Sequence, residues 1–120
     1  MNNIDYKDII KRNYHGECGT FAGELYEHET FEKNLYDELC EAIKRYTEET
    51  KENIHKIDRE YSWYITFIYS HFLIKESAHS DPADGYKIKN VTNEFLIDEM
   101  WKIEAIVEEY FVGNADIPNP

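Results

Sequence analysis

Leu96, Met100, Ile103, Val107 and Tyr110/Phe111 recur at i, i+4, i+7, i+11 and i+14/15. That spacing puts them all on one face of a helix and on no single face of a strand. Thr92 or Asn93 can cap the start, Gly113-Asn114 suits the end, and Pro118 and Pro120 forbid regular continuation. The pattern predicts a helix over 93–112. A second stripe, Phe31, Leu35, Leu39, Ala42, Ile43 and Tyr46, predicts a helix over 31–49 with Thr30 as N-cap. Its far side carries Asp37, Glu41, Lys44 and Glu48, a mixed solvated face. Glu41 and Arg45 form an i,i+4 pair there, worth a few tenths of a kcal/mol.

The segment Asp58 to Glu76 is apolar on more than one side. Tyr61, Ile65, Ile68 and Phe72 form one stripe, and Trp63, Phe67, Leu73 and Ile74 widen it. A helix buried at the centre of the domain accounts for that breadth. A strand pair competes, because aromatic and β-branched residues are dense here. About 19 residues without Gly or Pro would make a very long strand, so length favours the helix. Shorter helices are expected over Ile4 to Asn13 and over Glu24 to His28, extended back toward Phe21. Ser80-Asp81-Pro82-Ala83-Asp84-Gly85 is built from turn-formers, and Tyr86 to Lys89 alternates as a short extended stretch would. The expected fold is all-α: one domain over 1–120, a compact bundle of about five helices with a central buried helix and one turn-rich loop.

Charge narrows the partners. Twenty-five acidic side chains oppose 13 basic ones, a net charge of −12, which phosphate repulsion makes a poor match for naked nucleic acid. Hydrophobic residues at 42% and aromatics at 15% are too many for a disordered acidic tail. No apolar run reaches about 18 residues, so no membrane span is expected. Met1 to Asp5 lacks a basic region followed by an apolar one, so no secretory signal is expected. Cys18 and Cys40 fit reduced thiols in the cytoplasm better than a disulfide framework.

Residues able to carry chemistry are scattered. Glu52/His55 and Glu76/His79 have the Glu-x-x-His spacing of helical carboxylate-bridged metal sites, which also need inward glutamates from other helices. Seventeen glutamates and five histidines in 120 residues give about 0.7 such pairs by chance, and both lie near expected helix ends. They read as surface polar residues, and no metal or cofactor is expected. Cys18 follows His15 between two glycines; without a nucleophile signature it reads as a small buried thiol in a turn. Cys40 reads as a packing residue, and His71, inside the most apolar segment, as a hydrogen-bonded core histidine. No glycine lies in a phosphate-binding frame.

The C-terminal helix is more informative. Glu94, Asp98, Glu108 and Glu109 turn away from its apolar stripe, and Trp101 lies among them. Either another element covers Trp101, or the indole is an interface anchor with a charged rim. The segments next in line for an interface are the loop with Asp81, Asp84 and Tyr86 and the segment with Glu24 and Glu27.

The order of short motifs adds a family. Phe21-Ala22-Gly23-Glu24-Leu25 is followed by Phe31 to Leu39, then by Trp63 with Phe67-Ile68-Tyr69-Ser70-His71-Phe72. Asp84-Gly85-Tyr86-Lys87-Ile88-Lys89-Asn90 and a closing Tyr110-Phe111-Val112-Gly113-Asn114 come next. This succession resembles the small immunity proteins of bacterial contact-dependent growth inhibition and other polymorphic-toxin systems. The resemblance implies a cytoplasmic, non-enzymatic antitoxin that binds one cognate toxin domain, often a nuclease such as an RNase, and occludes its active site. An acidic surface with tyrosine and tryptophan anchors suits such a basic partner. Two alternatives stand beside it: a helical carboxylate-histidine metal-binding protein, and an acidic nucleic-acid mimic that regulates a DNA-handling enzyme.

Overall fold

A computed structural model of the chain describes residues 5–114, and every regular element among them is helical. Helix α1 spans Tyr6–Tyr14, α2 Phe21–His28, α3 Lys33–Glu52, α4 Arg59–Ser80 and α5 Asn93–Asn114, with a 3₁₀ turn at Ile54–Lys56. Polar side chains set the starts. Asp5 accepts the Asp8 amide at 3.1 Å, Thr20 the Gly23 amide at 3.0 Å, Asp58 the Glu60 amide at 2.8 Å and Thr92 the Phe95 amide at 3.1 Å, each satisfying an orphan donor of a first turn. The Ile4 start expected for α1, and Pro118 and Pro120, lie outside the described residues.

Helix α3 begins later than its apolar stripe does. Asn90 accepts the Phe31 amide at 2.8 Å and donates to the Phe31 carbonyl at 2.9 Å. That clamp holds residue 31 out of the helix, so Glu32 rather than Thr30 is the N-cap, without a side-chain hydrogen bond. Helix α4 runs four residues past Glu76 and stops at Asp81, before Pro82, where the backbone disfavours further helix. Helix α5 runs through Gly113, whose missing side chain leaves room for the Lys51 stem; a Cβ there would lie 2.6 Å from it. Residues 86–89 form no strand.

Helices α1 and α5 each pack on both α3 and α4, and α2 closes one side against α1, α3 and α4. The bundle therefore has a shared interior and no central helix. The breadth of α4 has another origin. It buries one stripe, Tyr64, Ile65, Ile68 and Phe72, and leaves Trp63, Leu73 and Ile74 in solvent at 53%, 38% and 60% exposure.

Tyrosines supply much of the interior. Phe21, Phe31, Tyr36 and Phe72 meet with ring centroids 4.9–6.1 Å apart. Tyr46 stacks on Tyr110 at 5.5 Å, and Tyr14 on Tyr64 at 4.2 Å. Their hydroxyls are partnered, as burial requires. Tyr36 donates to the Glu99 carbonyl at 2.6 Å, Tyr46 accepts the Asp58 amide at 3.1 Å, and Tyr110 shares a 2.5 Å bond with Ser62. These tyrosines are core staples, not the interface anchors their number suggested.

Asn13 joins α1 to α2. Buried at 2% exposure, it donates to the Ile9 carbonyl at 2.9 Å and accepts the Ala22 amide at 2.9 Å. Asn13→Ala strands a buried N–H, so it should cost about 2 kcal/mol, read from urea unfolding. A loss under about 0.5 kcal/mol would mean that water replaces the side chain.

Candidate functional site

The stripe that builds α5 determines what its other face can do. Leu96, Met100, Ile103, Val107 and Tyr110 are buried. Glu94, Asp98, Trp101 and Glu108 are therefore turned outward, and all four are exposed. Among the described residues no element covers Trp101, which is 67% accessible. Ile97 and Phe111 accompany it at 46% and 40%. Glu109 is exposed too, but its carboxylate pairs with Lys51 of α3 on the opposite flank.

Helix α4 adds to this face, which its sequence pattern did not reveal. The Ser62–Tyr110 hydroxyl contact and the closeness of Tyr69 to Glu104 fix an antiparallel register. Burial first, then the Glu104 carboxylate, raises the Tyr69 pKa. Continued along the seam, that register sets Leu73 level with Met100 and Trp101, and Ser77 level with Ile97. An exposed apolar strip thus spans two helices. Beyond it, Leu73, Ile74, Ser77 and Ala78 border a shallow recess of about 380 Å³ that ends at Asp81 and Asp84.

The loop holding those two carboxylates is organised by Lys87. Its ammonium, with three donors, lies within hydrogen-bonding distance of four backbone carbonyls, of Ala78 at 3.3 Å, Asp81 at 2.8 Å, Asp84 at 2.6 Å and Tyr86 at 3.1 Å. Asp81 accepts the Ala83 amide at 2.9 Å and Asp84 the Tyr86 amide at 2.8 Å, each through Oδ1. Lys87 carried no sequence signal, because carbonyl coordination follows the loop path and not residue spacing.

Other residues singled out from sequence lie elsewhere. Tyr86 is half-buried, donates to the Leu25 carbonyl at 2.6 Å and has Lys75 4.7 Å above its ring; burial, then Glu29, pushes its phenol up to about 12. Glu24 is half-buried and reaches back to the Gly19 amide at 3.2 Å. Glu27 is exposed on α2. That helix lies on the flank of α4 where Tyr26 meets His71, away from α5. Cys18 is exposed rather than buried, with its thiol 3.8 Å from Glu24, because its turn projects from the bundle. Cys40 is buried, which pushes its thiol up to about 11.

His71 is half-buried and not a hydrogen-bonded core residue. It stacks on Phe67 at 3.9 Å, its Nδ1 has no hydrogen-bond partner among the described residues, and desolvation, then Lys75, lowers its pKa. The Glu52/His55 pair straddles the end of α3. His79 accepts the Ile88 amide at 2.9 Å. Among the described residues no group of three or more His, Cys, Asp or Glu side chains is placed to hold a metal ion, and no helix is long and apolar enough to cross a membrane.

A groove of about 490 Å³ runs along the other flank of α5, beside α3. Its lysines are largely paired internally: Lys33 with Asp37 at 2.5 Å, and Lys102 with the buried Glu99 at 3.0 Å. The α4–α5 face differs in combining exposed large apolar side chains with carboxylates that form no ion pair among the described residues. Comparison with protein-family models, curated proteins and solved structures finds no match.

Proposed function

We propose that this chain is an immunity protein that binds a basic toxin domain, of nuclease type, and blocks its active site by stoichiometric occlusion. The observation that carries the reading is Trp101, two-thirds exposed on a packed helix and flanked by the carboxylates of Glu94, Asp98 and Glu108. An isolated domain of this size gains nothing by leaving an indole and neighbouring Ile97 in water, whereas a partner that covers them does. Carboxylates around such an anchor meet positive charge where a nuclease would hold phosphates, and they speed encounter.

The test is whether the gene immediately upstream encodes a toxin domain and whether this chain inhibits it. Trp101→Ala should weaken that complex by about 2 kcal/mol or more, roughly 30-fold in Kd, with the unfolding midpoint nearly unchanged. Glu94→Lys with Asp98→Lys should slow association more than it speeds dissociation. Unaltered binding in both variants would remove this face from the interface, and an adjacent gene without any toxin activity would remove the function.

A further inference from the structure

We propose that the seam between the C-terminal half of α4 and the N-terminal half of α5 receives a cationic amphipathic helix, whose apolar side chains cover Leu73, Ile97 and Trp101. A lysine or arginine of that helix lies in the recess ending at Asp81 and Asp84. The proposal deepens the inhibitor reading and rests on it for the identity of the partner alone.

The shape of the site follows from the register. Two antiparallel helices leave a furrow between them, and exposed apolar residues stand on both banks, Leu73 on one and Ile97 and Trp101 on the other. A third helix fits such a furrow by ridge-into-groove packing with apolar residues at i and i+4. No strand edge exists among the described residues, so an extended peptide has no backbone ladder to join.

The sign of the occupant follows from the rim. Glu94 and Glu104 are exposed on the side of α5 that carries this bank, with Asp98 beyond Trp101. Lys75, the one basic side chain in the last two turns of α4 apart from histidine, lies over the Tyr26 and Tyr86 rings on the far flank. Lys87 is committed to backbone carbonyls, and Asp81 and Asp84 each use one oxygen on a loop amide, keeping Oδ2 for a partner. The recess has an apolar floor for the stem of a lysine or arginine and carboxylates at the end for its head. A second copy of this chain would set acidic rim against acidic rim at −12 apiece, and an anionic membrane would be repelled in the same way.

The experiment uses the full chain carrying Trp63→Phe, which leaves Trp101 as its one tryptophan. The probes are synthetic helical peptides of about 18 residues: one with leucines at i, i+4, i+7 and i+11 among lysines, one with glutamates in place of the lysines, and a scrambled lysine peptide with no apolar face. The first should blue-shift Trp101 emission saturably and weaken at least about tenfold between low and moderate salt. Leu73→Ser with Ile97→Ser should reduce its affinity about tenfold, and Asp81→Asn with Asp84→Asn severalfold. Both pairs are exposed, and circular dichroism checks that they stay folded.

Equal binding of the glutamate or scrambled peptide, or binding undiminished by the serine pair, overturns the proposal. So does sedimentation showing a dimer that the serine pair dissolves, because the occupant is then a second copy. Toxin neutralisation that survives the serine pair overturns the seam and leaves the inhibitor reading standing. Peptide bound at the seam without any toxin neutralised overturns the inhibitor reading and leaves the seam.

Discussion

Gly23→Ala is expected to destabilise the protein by about 3 kcal/mol, although helix propensity alone would favour alanine inside α2 by about 1 kcal/mol. A Cβ at this position would lie 2.0 Å from the Glu17 carbonyl oxygen, 2.7 Å from its carbon and 2.9 Å from the Gly16 oxygen. All three are backbone atoms, so no side-chain rotation relieves the clash. The turn they form is tied down as well. Glu17 donates to the Arg12 carbonyl at 3.1 Å, and its own carbonyl accepts from the Thr20 amide at 3.1 Å and hydroxyl at 2.7 Å. Moving it aside disturbs the Thr20 cap and the bond from the neighbouring Ala22 amide to Asn13. Urea unfolding of Gly23→Ala beside Gly85→Ala isolates the effect, since a Cβ at Gly85 meets nothing within 4 Å and should shift stability by no more than about 0.5 kcal/mol. A Gly23→Ala protein as stable as the parent would mean that α2 sits farther from the 16–17 turn.

The reason this glycine could not be weighted from sequence applies more widely. Periodicity reports which side of a helix is apolar, and that sufficed for α5 and for the body of α3, where one stripe meets one core. It says nothing of contacts made by residues far along the chain. Asn90 holds Phe31 out of α3 from 59 residues away, and no local pattern around Thr30 could show it. The same limit explains half of the candidate face. The outward direction of Glu94, Asp98 and Trp101 follows from the buried stripe of their own helix. The extra apolar residues of α4 were equally visible in the sequence, but a wide apolar surface can be wrapped by the fold or left bare. Which one holds depends on where α1 and α5 pack. For Trp63 and Ile74 the outcome was exposure, and the expected central helix became an outer wall of the bundle. Conversely, the tyrosines that looked like anchors found polar partners inside, at Glu99, Asp58 and Ser62.

Those internal phenols carry the second large effect: above about pH 10 stability should fall by roughly 3 kcal/mol per pH unit. Tyr36 and Tyr46 are each 1% exposed, and burial raises both pKa values above the ordinary tyrosine range. Cys40 and Glu99 add to the shift at Tyr36, and Tyr110 adds to it at Tyr46 against the opposing Asp58 hydrogen bond. In the unfolded chain the phenols release protons near pH 10. From there upward the folded state binds more phenolic protons than the unfolded one, so the phenols' contribution is complete below that pH and declines as pH rises toward the folded values. The buried Cys40 thiol begins a shallower decline about one pH unit earlier. Each such tyrosine contributes a slope of about 1.4 kcal/mol per pH unit. Urea midpoints measured from neutral pH upward should stay level and then drop, with phenolate absorbance growing in step with unfolding. Tyr36→Phe removes one of these groups, so it should lower the slope by about 1.4 kcal/mol per pH unit. At neutral pH the same variant leaves the buried Glu99 carbonyl without its 2.6 Å donor, at a cost of about 1–3 kcal/mol. A protein that keeps its urea midpoint well above pH 10 while its phenols ionise at ordinary values would place Tyr36 and Tyr46 in solvent, and with them the helix contacts that hold α5, and Trp101 on its outer face, against α3.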